Sequence, residues 1–544
     1  MTTAAPSEPR AARVAGLVFA VLCVYFTGVF PPFANPNELS RLQAVVAMAD
    51  DGTFAIDAAI ARLGDHEDKS VDRGRFYSNK APGLAFAAYP VYRVLRLALP
   101  PATHGTFDPI FLLTRLLTVS LASGIALRRF SARLSETASE KAAALVVFAV
   151  ALGTPLLFYA RSFFSHAWTA ALLFLAWDRL RRSEEANGSG RGGRTAALAG
   201  LLAGWAVISE YSVAPLAAAL AVRTAAGRST RRLGAFAAGA ALALALLGAY
   251  DAVCFGSPWT LSSAREAAPE YSDLAGRGLF GFGLPSPRVA LAYLAGPARG
   301  VLLFSPFLAW SAFGLRRWWK SGRARADWWL VAGGLAFFFV CLCGYPNWHG
   351  GWSVGSRYLL PGLFFAALPA AWALEGALSR GLFLAASVFS VAAHGLITAT
   401  WPHFPPEMPW PEVTGSLWFL ERGWVAPNLG SILGLGAPES LALPAALLLW
   451  AVVAAALAAP PARPAAPVAV LLGLAPLAAL ALRPPEPPYF GRLWRAGVYG
   501  AYSGLDDGRA ELRAVALEAR TPEERRTALR VWRWLGPRGS PTAP

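Results

Sequence analysis

Of the 544 residues, 55% are apolar and only 15% are charged, and the mean hydropathy is +0.42. Soluble domains carry about one quarter charged residues, so this composition excludes an ordinary soluble enzyme and points to a multi-spanning membrane protein. The net charge of +16 would suit a nucleic-acid partner, but the arginines stand in short clusters between apolar runs. That distribution is the one that orients a membrane chain and meets anionic lipid.

In chain order, Arg10 and Arg13 precede a first apolar run, Val14 to Phe30. It reads as a retained signal-anchor with a cytoplasmic N-terminus, because many later spans follow. The stretch Ala34 to Tyr89 then lies outside. It holds Glu38, Asp50, Asp51, Asp57, Asp65, Glu67, Asp68 and Asp72, and closes at Lys80-Ala81-Pro82-Gly83. Helical spacing with polar and apolar faces covers Glu38 to Ala49 and Asp57 to Leu63, as for helices lying on a bilayer. The polar run Gly64 to Gly74 is the loop tip. Ala81 to Leu99 is long enough to cross, but a crossing there would put the next two arginine clusters outside, so it is read as interfacial, with Arg93 and Arg96 snorkelling.

The later clusters are Arg128/Arg129/Arg133/Lys141, Arg179/Arg181/Arg182/Arg191/Arg194, Arg223/Arg228/Arg231/Arg232 and Arg316/Arg317/Lys320/Arg323/Arg325. Further spans are read at Ala142 to Tyr159, Leu233 to Val253, Trp328 to Cys343 and Leu441 to Leu457. Thr195 to Val222 is interrupted at Ser209-Glu210, and two half-spans in a hairpin, each about 12–14 residues where a full span takes about 20, keep its flanking clusters on one side. Outer segments follow at Phe255 to about Arg299, with Trp259, Arg265, Glu266 and Tyr271, and at Trp401 to about Asn428. Cys23, Cys254, Cys341 and Cys343 show no disulfide or zinc spacing and read as small hydrophobes.

The fold expected is an all-α polytopic membrane protein with about 13 transmembrane helices. Residues 1–483 form the membrane region, with the first outer loop at 31–108 carrying interfacial helices. An Ala/Pro-rich linker occupies Pro460 to Pro467, and residues 484–544 form a small outer tail domain. In the tail, Thr521-Pro522-Glu523-Glu524 has an N-cap, a proline at the first helical position and a capping-box glutamate.

Carboxylates and a lysine beside a membrane suit chemistry on a phosphate-bearing lipid. Sugar transfer from such a carrier needs a base for the acceptor, cations for the leaving phosphate and a platform for the sugar. Glu38 and Asp68 are the candidate bases. Lys80, Arg357 and Arg41 are candidates for the donor phosphate, and Trp348, His349 and Trp352 for stacking on the sugar. His166, at the outer end of a hairpin of spans, and Glu210, in a broken intramembrane helix, are further candidates for the substrate site, an intramembrane carboxylate being a functional-site hypothesis by default. Each has a plainer reading: solvated or capping carboxylates, a snorkelling lysine, an interfacial tryptophan belt, a packed histidine. Asp65, His66, Glu67 and Asp68 could take a divalent cation, although their spacing matches no specific metal signature.

The order of first span, acidic outer loop with Asn37-Glu38 and Arg41, and Tyr77-Ser78-Asn79-Lys80-Ala81-Pro82-Gly83, continuing to Trp348 through Pro361, resembles the GT-C superfamily of integral-membrane glycosyltransferases. The likeness is to bacterial members related to aminoarabinose transferases and protein O-mannosyltransferases, and is architectural more than motif-exact. It implies a GT-C-like fold, an acidic residue early in the first outer loop at or near the base, and a lysine on the lipid phosphate, which Lys80 matches. This chain departs from the pattern at Asn37, where an aspartate is expected, at His166 in a second acidic position, and at Glu210 in place of a lysine.

The function expected is inverting transfer of a sugar from a polyprenyl-phosphate carrier to an extracytoplasmic lipid, glycan or protein, in a bacterial plasma membrane and without nucleic acid. The alternative is a flippase or transporter of a lipid-linked sugar, which would want polar groups at mid-membrane and often two related halves. Gathering the arginine clusters on one side requires Ser183 to be cytoplasmic and Ser540 outside. Cysteines at these positions should be protected and labelled, respectively, by an impermeant reagent added outside, and the reverse pattern would overturn this topology.

Overall fold

In the computed structural model the described residues are 8–28, 35–103, 105–185, 191–268, 282–400, 403–458, 465–503 and 506–535. Tyr271, Trp401, Ser540 and the start of the Pro460–Pro467 linker lie outside them. Helices dominate, and among the described residues five are long and apolar enough to cross a membrane: Pro109–Thr137, Thr230–Phe255, Arg325–Cys343, Ala377–Thr400 and Ala437–Ala458. Helical hydrogen bonding satisfies their backbone groups within the segment, the condition for crossing hydrocarbon. The chain is a multi-pass membrane protein.

The apolar run Ala142 to Tyr159 is not one helix. It divides into Glu140–Leu152 and Leu156–Ala160, because Pro155 has no N–H to continue the ladder and Gly153 lowers the cost of leaving it. The interruption at Glu210 is as expected. Arg191–Ser209 ends there, Glu210 is extended at φ −158° and ψ 104°, and Ala214–Ala226 returns after a short turn. The first arm is a 19-residue helix, longer than the half-span expected from the sequence.

Ion pairs define one end of the bundle. Asp178 receives Arg129 and Arg133 from the Pro109–Thr137 helix, with nearest N–O separations of 3.1 and 2.7 Å, and Arg182 at 3.3 Å. Asp327 receives the Trp177 indole at 2.8 Å, Arg181 at 2.9 Å and Arg223 at 2.8 Å. Arg223 also reaches Glu184 at 2.9 Å. Residues of the clusters near 181 and 223 thus meet a carboxylate two residues past Arg325, and those of the cluster near 129 meet Asp178. At the opposite end Arg115 donates to Thr27 at 2.9 Å, so the first helix ends where the Pro109–Thr137 helix begins. The first outer loop lies between them and leaves and returns at the same end.

That loop is more structured, and more buried, than its polarity suggested. Pro36–Asp50 and Asp57–Leu63 are helices, but in the first both faces are buried, Asn37, Glu38, Ser40, Arg41 and Gln43 included. The tip is a β-hairpin, which corrects the all-α expectation. Strand β1 (Lys69–Asp72) pairs antiparallel with β2 (Arg75–Ser78) across Arg73-Gly74, where both residues have positive φ, 48° and 75°. A two-residue turn of that hand matches the twist of the strands, whereas a polar run carries no helical period to betray it.

The tail contributes Tyr489–Ser503, Asp506–Leu517 and Pro522–Leu535. The capping box forms: Glu524 N–H donates to Thr521 Oγ1 at 3.1 Å and Thr521 N–H to Glu524 Oε2 at 2.9 Å. Trp494 packs on Trp352, Phe404 and Phe419 with centroids 5.9, 5.5 and 6.2 Å away, so the tail shares the main apolar core.

Breaking a buried ion pair strands its partner, at a cost of about 3–5 kcal/mol. Asp327→Asn should therefore lower the melting temperature in detergent far more than Glu375→Gln, which removes the exposed partner of Arg317. Equal, small shifts would show that the Asp327 cluster does not hold the bundle end.

Candidate active site

At the end opposite the arginine clusters, a cavity of about 1880 Å³ opens among the first outer loop, the Glu210 turn, residues 258–266, the 345–358 segment and the last tail helix. A pocket for one small molecule is typically about 300–1,000 Å³, so there is room for more than one reactant. Asp68, Lys80, Arg41, His166, Glu210, His349, Trp352 and Arg357 all line it. Glu38 and Trp348 are not among its lining residues.

Lys80 is positioned by the turn that follows β2. Its backbone N–H donates to Ser78 Oγ at 3.3 Å, and Ser78 is tied to Ser40 of the Pro36–Asp50 helix at 2.7 Å. Gly83 brings that turn against the Arg191–Ser209 helix. A Cβ on Gly83 would sit 2.8 Å from the Ile208 carbonyl carbon, and its own carbonyl accepts the Trp205 indole N–H at 2.8 Å. The Lys80 ammonium lies 2.9 Å from Asp68. Burial alone would push the Asp68 carboxyl up, but Lys80, helped by His66 and Arg357, outweighs it and holds the group below the usual carboxylate range. Asp68 is therefore ionised at neutral pH and a weak proton acceptor.

A second group surrounds Glu210. Ser165 donates to its Oε2 at 2.6 Å and Ser212 to its Oε1 at 3.2 Å, with His166 Nδ1 at 3.6 Å and Arg41 at 4.0 Å. Arg41 also donates to the Asn37 carbonyl at 3.0 Å and to Ser165 Oγ at 2.9 Å. Asn37, where the resemblance expects an aspartate, thus serves the guanidinium through its oxygens. The His166 ring lies edge-on to Tyr159 and Tyr358, at 5.7 and 5.3 Å between centroids.

Arg357 is buried over the rings of Phe164 and Tyr358, 5.5 and 5.1 Å from their centroids. Gly350, at φ +71°, makes room for it, since a Cβ there would lie 2.5 Å from Arg357 Nε. His349 Nδ1 accepts the Gly351 N–H at 2.9 Å, and burial, with Arg299 and Arg357 nearby, lowers the ring to about 4. It is neutral at pH 7, its proton on Nε2. Trp352 stands edge-on to Trp494, while Trp348 is turned to Tyr293, whose hydroxyl donates to the Trp348 carbonyl at 2.8 Å.

Glu38 is 2% exposed. It accepts the Phe163 N–H, and burial pushes its carboxyl up against the opposing pull of that bond and of Arg115, Arg161 and Arg41. Asp65, His66 and Asp68 diverge to Lys69, Gln43 and Lys80. Among the described residues no group of three or more His, Cys, Asp or Glu is arranged to hold a metal ion.

Not assigned to the site from sequence were Asn79, Tyr211, Glu266, Tyr345 and Tyr358, all of which line the cavity. The available signal for Glu266 was a carboxylate in an outer segment rich in Gly, Pro and Ser, which by itself reads as a loop.

The chain is similar to ArnT from Cupriavidus metallidurans, in the apo state and bound to undecaprenyl phosphate, at 16% identity over 94% of this chain and 80% of that one, with TM-score 0.46. It is similar to the oligosaccharyltransferase AglB from Archaeoglobus fulgidus, in complex with an inhibitory peptide and a dolichol-phosphate, at 13% identity over 94% of this chain and 60% of that one, with TM-score 0.36. No family model and no curated protein matches this chain.

Asp68, held low by Lys80, contributes stability that is present above its unfolded value of about 3.9 and lost as pH falls through its depressed folded value. The melting-temperature deficit of Asp68→Asn should therefore be constant from neutral pH down to the carboxylate range and shrink below it. A deficit that grows on acidification would show that the ion pair is not its source.

Proposed function

We propose that the protein is an inverting glycosyltransferase that takes a sugar from a polyprenyl-phosphate carrier and places it on an extracytoplasmic lipid, glycan or protein. The observation that carries this reading is the cavity's two-sided lining. Lys80, Arg41 and Arg357 meet at a polar end, while Val207, Leu244, Leu247 and Phe337 form an apolar wall. Leu244 and Phe337 are themselves 47% and 55% exposed on the bundle surface, so the apolar wall continues to where lipid would be. A phosphate on an isoprenoid chain matches both parts.

In this reading Lys80 and the two arginines hold the phosphate and offset the charge that builds on it as the bond to the anomeric carbon breaks. Asp68 keeps Lys80 in place, and Glu210 does the same for Arg41. His349 offers an Nε2–H donor and Trp352 an aromatic edge to the sugar. Glu38 holds the loop helix to Phe163 from within the protein, a structural part that leaves the base elsewhere. Arg526, Thr527 and Leu529 of the tail also line the cavity, and we assign them to the acceptor's side. The ionisable groups of the cavity gather at one end of the bundle, which favours transfer over transport through it. We place that end on the outer face of a bacterial plasma membrane, with the arginine clusters inside, the first-loop helices at the interface and about 13 crossings in all, because positive clusters favour the cytoplasm.

Charge-assisted contacts contribute about 1.5–3 kcal/mol, so Lys80→Ala should weaken equilibrium binding of undecaprenyl phosphate in nanodiscs about 10- to 100-fold. Lys141→Ala, at the arginine end, should leave it unchanged. Indistinguishable affinities for the two variants would remove Lys80 from the site.

A further inference from the structure

We propose that Glu266 is the general base of the transfer, taking the proton of the acceptor hydroxyl or amine as that atom attacks the sugar. The inference rests on the transferase reading above and adds the group that reading lacks.

Glu266 is fixed to the first outer loop by several contacts. It forms an isolated bridge with Ser70 of β1, and the following Ala267 N–H donates to the Lys69 carbonyl at 2.9 Å. Ser70 Oγ donates to the Ser262 carbonyl at 2.7 Å, and Ser262 Oγ to the Asn79 carbonyl at 3.0 Å. The segment is thus an added edge to the hairpin, and its carboxylate is delivered to the residue before Lys80. Asn79 Nδ2 donates to Glu266 Oε2 at 2.7 Å, which orients the group and leaves Oε1 for a substrate. Glu266 lines the cavity with Lys80, Asp68, His349 and Arg357.

Its protonation suits the role where that of Asp68 does not. The charged groups that act on it are Lys80 and Asp68, both from the first outer loop. Burial is the largest influence and, with Asp68 adding to it and Lys80 and Asn79 opposing, raises the carboxyl to about 7. A base is most effective near the working pH, and a preorganised carboxylate poised there is a functional-site signature. Lys80 therefore has two carboxylates within its field, one paired with it and one left free to take a proton.

In the step itself the acceptor O–H or N–H bond breaks and its proton passes to the Glu266 carboxylate. The acceptor heteroatom forms a bond to the anomeric carbon from the face opposite the phosphate. The carbon–oxygen bond to the carrier breaks, and the phosphate leaves with the electron pair and one additional negative charge beside Lys80. Charge and atoms balance without an external oxidant or cofactor.

The test uses the full chain in lipid nanodiscs with undecaprenyl-phosphate mannose, glucose and N-acetylglucosamine, with water and a membrane glycolipid extract as acceptors. Carrier-phosphate release and equilibrium binding of undecaprenyl phosphate are measured separately. Glu266→Gln keeps the oxygen that accepts from Asn79, so binding should be retained while turnover falls about 10²–10⁴-fold, the usual contribution of a positioned base. The base must be ionised, so wild-type turnover should decline as pH falls through about 7, and that limb should be absent from the residual rate of Glu266→Gln. Glu266→Asp should recover part of the rate. Turnover retained in Glu266→Gln, beside weakened carrier binding in Lys80→Ala, would overturn this inference and leave the transferase reading standing. A wild type that binds the carrier and releases phosphate from none of the donors would overturn both.

Discussion

An ionisable side chain carried into an apolar bundle loses several kcal/mol of hydration, which only a partner at close range restores. That constraint organises this protein at both ends. At one, Asp178 and Asp327 each collect arginines from neighbouring helices, so the helices can end only where those charges meet. At the other, Glu210 breaks a helix and draws Arg41, Ser165 and Ser212 around its carboxylate. Between them run spans of mostly apolar side chains.

The two ends use the same pairing to different effect. At the arginine end the carboxylates are saturated: Asp327 accepts an indole and two guanidiniums, and Asp178 sits among three. At the cavity end the matching is incomplete in a useful way. Lys80 is bound on one side by Asp68, yet both line a space large enough for a phosphate to compete for the ammonium. An incompletely satisfied cation in a low-dielectric cleft is a strong anion site, whereas a saturated one is a strut.

Small backbone features place these charges. The positive-φ turn at Arg73-Gly74 folds the loop tip into a hairpin, which gives residues 262–267 an edge to join. Gly83 lets the Lys80 turn touch the helix that ends at Ser209, and Gly350 leaves space beside Arg357. The fold brings together residues far apart in the chain: Asn79 with Glu266, Arg41 with Glu210, and Lys80 with His349 around one cavity.

Composition, apolar run length and arginine clustering were enough to read a multi-pass membrane chain, the interruption at Glu210, and a polar face built from the first outer loop and the 345–358 segment, because hydrophobic length and charge are properties of the local sequence. The same is true of the Thr521 capping box, which involves four consecutive residues. Lys80, Arg41, Arg357, His349 and Trp352 were legible as candidates because cations and aromatics beside apolar spans have few plain explanations. What the sequence by itself could not determine was how each carboxylate is held. Glu38 and Asp68 are acidic in the right loop, but Glu38 is turned inward to Phe163 and Asp68 is held by Lys80. Glu266, nearly two hundred residues from Lys80, reaches it only through a strand-edge pairing with Ser70. Only the tertiary structure decided that, since a carboxylate's proton affinity depends on its burial and its neighbours, and neither is written in the residues adjacent to it.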